Sequence, residues 1–145
     1  MSRLNAPGAV TELRAAARLD PDRPEVRNML GLALAATGRN AEAMEQFALA
    51  LRARPGYASA RYNLATALAR AGRVDEAVDN LRQVLAANPE DAAAKRRLSE
   101  TLTLRGMLLL RDGKRDLAVA QFEEALQLDP SNEDAHQGRE QALAH

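Results

Sequence analysis

The chain has 145 residues, 46% of them hydrophobic, with 20 basic and 20 acidic side chains and no cysteine. This is enough for one domain with a core, while zero net charge leaves no field to draw nucleic acid or an anionic membrane, and lack of Cys excludes disulfides, thiolate catalysis and Cys-based zinc sites. No apolar run approaches a membrane span and the start MSRLNAPG lacks a signal-peptide core, so the expected location is cytoplasmic.

Taken in order, residues 6–19 predict an amphipathic half-repeat helix, with Val10, Leu13, Ala16 or Ala17, and Leu19 on one side. Its apolar flank, with Met1 to Ala6 too short to cover it, is expected to stay open. Residues 22–55 predict a helical pair. Asp22 to Thr37 carries Val26, Leu30, Ala33 and Leu34 inward, Gly38 stops it in a left-handed conformation, and Asn40 to Ala53 returns with Ala43, Phe47, Ala50 and Leu51. Residues 56–89 repeat the plan: Tyr57 to Ala71, a stop at Gly72, and Asp75 to Ala87 with Ala77, Val78, Leu81, Val84 and Leu85. Residues 90–130 give a third pair, Asp91 to Arg111 and Asp116 to Leu128, broken at Gly113. Residues 131–145 read as a capping helix begun by Ser131 or Asn132, with Ala135, Ala142 and Leu143 turned inward.

The period is explicit. Pro21, Pro55 and Pro89 stand 34 apart (55 − 21 and 89 − 55), as do Gly38 and Gly72, and Ala43 and Ala77. A recurrence of this length means stacked supersecondary units. Between Pro89 and Pro130 the interval is 41 (130 − 89), an excess of seven residues. Seven residues are nearly two helical turns, so the apolar stripe survives and one long first helix is expected. Its Leu104, Met107, Leu108 and Leu110 exceed what one stripe uses. Only Lys95 and Lys114 are lysine, and the Arg and Ala usage reads as the genome bias of a bacterial source.

Period, helix-turn-helix plan and markers resemble the tetratricopeptide repeat family. The markers are Leu30-Gly31, Ala43, Phe47 and Pro55, then Leu64-Ala65, Ala77, Leu81 and Pro89. The third unit splits its match: Leu98-Ser99 and Leu102 fit one frame, Gly106, Leu109, Ala118, Phe122 and Pro130 another. The family's tryptophan is replaced by Arg27 and Arg61. The resemblance implies an all-α fold, an α-solenoid in which antiparallel helix pairs form a right-handed superhelix.

It also implies a non-catalytic scaffold that binds a peptide or partner helix, the first helices lining a concave groove. Peptide-binding residues expected on that basis are Asn63, Thr66 and Arg70 in the second pair, Arg96 and Arg97 in the third, and Asn28 and Leu32 in the first. Asn63 suits a peptide backbone because an amide donates and accepts at once. Chaperone-tail gripping is disfavoured, because Asn28, Leu32 and Ala93 stand where that subfamily carries other side chains. Self-assembly through the half-repeat or the long helix, giving a homo-oligomer or a structural module of a larger protein, is the alternative. Neither cofactor nor metal is expected. His136 and His145, the only histidines, read as solvated cap residues, and no glycine-rich phosphate loop or catalytic constellation is present.

Overall fold

The computed structural model describes residues 6–144. Those residues form eight α-helices and no strand: α1 (Ala6–Leu19), α2 (Pro24–Ala36), α3 (Asn40–Ala53), α4 (Ala58–Arg70), α5 (Val74–Ala87), α6 (Ala92–Arg111), α7 (Arg115–Leu128) and α8 (Glu133–Leu143). They pack as two compact units, α1–α4 and α5–α8, divided between Arg73 and Val74.

Three helix ends share one geometry. Gly38, Gly72 and Gly113 have φ of 81°, 81° and 78°. After the first, Gly38 N–H donates to the Ala35 carbonyl (3.1 Å) and Arg39 N–H to that of Leu34 (2.9 Å). The same pair recurs as Gly72 to Ala69 with Arg73 to Leu68, and as Gly113 to Leu110 with Lys114 to Leu109. These are Schellman ends, which satisfy orphan carbonyls at the cost of one left-handed residue that only glycine adopts freely.

The helix starts differ. Asp91 accepts from Ala94 N–H (3.0 Å) and Asn132 from Ala135 N–H (3.1 Å), whereas α2 opens on Pro24 with no side-chain cap. Ahead of α2, α4 and α8 a side chain reaches back six residues to a proline carbonyl: Arg27 to Pro21 (3.1 Å), Arg61 to Pro55 (3.2 Å) and His136 Nε2 to Pro130 (2.9 Å). A carbonyl only accepts, so His136 Nε2 carries the hydrogen. Arg27 and Arg61, which stand at the position of the family's tryptophan, thus tie the turn ahead of their helix.

Unit one is organised around Phe47, 1% exposed, among Leu30, Ala33, Leu34, Ala43, Ala67, Val10 and Ala17. A Cβ on Gly31 would stand 2.4 Å from Phe47 Cε1, so the ring packs directly against the α2 backbone. Unit two repeats the lock around Phe122: a Cβ would stand 2.6 Å from its ring on Gly106 and 2.5 Å on Gly138. Arginines brace the second helices in both units, Arg14 to Glu42 (3.1 Å) and Arg82 to Glu124 (3.0 Å).

Three expectations change. Val10 is buried in the core of unit one against α2, so the flank of α1 is not open there; Met1 to Asn5 lie outside the described residues. Leu19, placed inward by periodicity, is 88% exposed because α1 ends there and the chain turns away at Asp20. Leu143 is 59% exposed, since it sits at the last turn of α8, past the reach of Phe122. His145 also lies outside the described residues.

Candidate functional site

Phe122 settles the register of the third pair. Gly31 and Gly106, Phe47 and Phe122, and Gly38 and Gly113 are each 75 apart (106 − 31, 122 − 47, 113 − 38), which is two periods of 34 plus seven. The seven extra residues therefore lie in the N-terminal part of α6. Met29 and Leu32 of α2 then correspond to Leu104 and Met107 of α6. All four are large, apolar and exposed, at 51%, 41%, 40% and 44%. One turn of helix brings each pair to the same side, and hydrophobic burial at about 25 cal/mol per Å² gives a partner reason to cover them.

The middle first helix, α4, carries polar residues at those offsets: Asn63 and Thr66. Asn63 Nδ2 donates to Asn28 Oδ1 (2.9 Å), tying α4 to α2. Asn28 is only 5% exposed, and its own Nδ2 lies 3.5 Å from Tyr57 Oη and 3.4 Å from Ser59 Oγ, long and weak contacts. So Asn28 acts as a strut beneath the surface and orients Asn63, whose amide oxygen has no donor among the described residues. Thr66 Oγ1 donates to the Tyr62 carbonyl one turn back (3.1 Å), and Arg70 is exposed at the end of α4. Leu32, Asn28, Asn63 and Thr66 are thus gathered on α2 and α4 of unit one.

Arg96 and Arg97 belong to unit two, seven residues, or two turns, ahead of the glycine register. Arg96 is exposed; Arg97 Nη1 donates to Glu100 Oε2 (3.1 Å). At the offset shared by Met29 and Asn63 the third pair has Leu104 instead. Sequence reading saw Leu104 and Met107 as surplus apolar surface; the signal that relates them to Met29 and Leu32 is the glycine-to-phenylalanine spacing of 16 (47 − 31 and 122 − 106).

α6 has a second task, in the stretch that matches α2 rather than in the added turns. Ser99 and Thr103 are buried: Ser99 Oγ donates to the Ala125 carbonyl (2.7 Å), and Asn132 Nδ2 donates to Ser99 Oγ (2.8 Å) and Thr103 Oγ1 (3.1 Å). The N-cap residue of α8 is thereby fastened to α6.

Among the described residues no cluster of three or more His, Cys, Asp or Glu could hold a metal, and no helix is long and apolar enough to cross a membrane.

Models of the tetratricopeptide repeat match residues 2–58, 34–96 and 99–132. No curated protein matches the sequence. Among solved structures, a crystal structure of MamA is 23% identical with a TM-score of 0.74, the likeness covering 97% of this chain and 78% of that one. MamA from residue 41 onward, from Desulfovibrio magneticus RS-1, is 26% identical with a TM-score of 0.72, over 96% and 75%. YrrB, a TPR protein with an unusual peptide-binding site, is 24% identical with a TM-score of 0.72, over 97% and 69%. With three family models covering nearly the whole sequence and Schellman-ended hairpins locked by glycine on phenylalanine, the chain belongs to the tetratricopeptide repeat family.

Proposed function

We propose that this chain is a non-catalytic protein-interaction scaffold whose first helices bind a peptide or a partner helix. The observation that carries the reading is the recurrence of an exposed apolar pair at one register position, Met29 with Leu32 and Leu104 with Met107, on a chain of which 28% is charged. Asn63, held by Asn28, adds a fixed amide beside the first pair, suited to a backbone N–H. That YrrB, of similar fold, has a peptide-binding site supports the reading. Apolar anchors beside one oriented amide recognise an amphipathic segment by its apolar side chains at helical spacing or by its extended backbone.

The test is selection of peptides by display on the whole chain, followed by fluorescence anisotropy with the winners. Leu32→Glu and Asn63→Ala should each weaken binding, by about 1–3 kcal/mol where a buried partner group loses its hydrogen bond. Unchanged affinity in both variants would remove α2 and α4 from the site. Self-association through α6 is the second reading, because Leu104 and Met107 could equally meet another copy. Sedimentation equilibrium of Met107→Glu decides it: a dimer in the parent that dissociates in the variant favours assembly.

A further inference from the structure

Unit one has a second concavity, a cleft of about 360 Å³ between α1 and α2, where Arg14, Arg18 and Arg27 stand over a floor of Ala17 and Leu30. Its charges are unevenly matched. Arg27 is held by two neutral acceptors, Nε donating to the Pro21 carbonyl (3.1 Å) and Nη1 to Gln46 Oε1 (3.0 Å), which orient the guanidinium without cancelling its charge. Arg18, one turn beyond Arg14 on α1, is exposed and forms no ion pair among the described residues. Arg14 reaches Glu42, but Arg39 grips the same carboxylate and, with Arg14 and Arg18, lines an adjoining hollow of about 290 Å³. Four guanidiniums against one carboxylate leave an excess of three positive charges (4 − 1) in a chain whose total is zero. Asp20 and Asp22 flank Pro21 in sequence, yet neither pairs with these arginines.

We propose that this cleft is a binding site for an acidic peptide segment, its carboxylates meeting the arginine forks and a neighbouring apolar side chain meeting Ala17 and Leu30. Planar forks match carboxylates two bonds at a time, which adds geometric specificity to the attraction of charge. A free oxyanion would satisfy the charges but leave the apolar floor and most of the volume unused; the size falls within the range of about 300–1,000 Å³ usual for ligand pockets. The site uses none of the side chains of the α2–α4 surface, so the two readings fail separately.

The experiment titrates the ¹⁵N-labelled chain at low salt with a blocked tetrapeptide of two glutamates between two leucines, following the Nε–H signals of Arg14, Arg18 and Arg27. Saturable shifts are expected, with affinity about tenfold weaker in Arg18→Gln, which removes no hydrogen bond or ion pair among the described residues, and unchanged in Leu32→Glu. The matching peptide with glutamines should shift nothing. Equal binding of that peptide, absence of a saturable shift, or an unaffected Arg18→Gln would each overturn the proposal. Inorganic phosphate runs in parallel: saturation by phosphate where the acidic peptide gives none would assign the arginines to a free oxyanion and overturn it likewise.

Discussion

The trio α2–α3–α4 in unit one and the trio α6–α7–α8 in unit two solve one packing problem with different polar chemistry. Both seat a phenylalanine ring on a glycine. At the residue three before that glycine, unit one has Asn28 and unit two has Thr103 (31 − 28 and 106 − 103). Each points toward the N-terminus of the next first helix, but Asn28 meets Tyr57 at 3.5 Å, whereas Thr103 and Ser99 receive Asn132 at 3.1 and 2.8 Å. Unit two also seats Gly138 on its ring where unit one has Asn63. The difference teaches that apolar contact sets the crossing, while the polar links are free to be spent on stability in one unit and on presenting an amide in the other.

The comparison breaks most visibly at the rings. Phe122→Ala and Phe47→Ala should each cost about 3–5 kcal/mol in urea denaturation of the whole chain, the former more because its ring rests on two glycines, Gly106 and Gly138, and that of Phe47 on Gly31 alone. Equal or smaller loss at Phe122 would mean that α8 does not depend on it. Next, Asn132→Ala removes an N-cap and two bonds to hydroxyls and should cost about 2–3 kcal/mol, read as faster amide exchange along α8. A cost under about 0.5 kcal/mol is expected for Tyr57→Phe, whose hydroxyl contact is long; similar values for the two would erase the contrast between the units.

Gly31→Ala and Gly106→Ala sharpen it further. Overpacking against the ring costs about 1–3 kcal/mol and better helix propensity returns about 1, so a net loss of up to about 2 kcal/mol is expected from thermal melts, alike in both units. The smallest effect belongs to Glu42. The Arg39 hydrogen bond, with help from Arg14, holds its carboxyl below the usual 4.5. A lowered folded-state pKa stabilises above the unfolded value and is lost as pH falls through the folded one. The stability gap between the parent and Glu42→Gln should therefore shrink as denaturation is repeated below pH 4.5; a gap that ignores pH would exclude the ion pair as its source.

The helices were legible because each ends on a signal with a mechanism: glycines at the reversals, Asp91 and Asn132 as caps, apolar residues every three or four. Asn40 to Ala53 falls where periodicity puts it. The frame of the third pair was not legible from apolar residues, since seven residues nearly preserve helical phase and both frames offer them; the glycine-to-phenylalanine spacing of 16 carries it, and the ring on Gly106 decides. Leu19 and Leu143 misled because a stripe gives a direction but not where the covering neighbour stops. Of the expected binding residues, Asn63 and Asn28 are joined by a hydrogen bond, while the burial of Asn28 could not be foreseen from an amide in a helix that α4 happens to cover. The arginine cleft left only a faint trace, Arg14 and Arg18 four apart on one helix.

The three Schellman reversals have a consequence for how such a chain can change length. Each closes on itself through two fixed bonds, so adding or deleting a residue there would unhook the carbonyls it serves. A whole number of turns within a helix disturbs neither bond, and the surplus in α6 is close to two. Variation in a lineage of this kind is thus quantised: insertions that survive should come in steps near multiples of 3.6, inside the rods and away from the elbows.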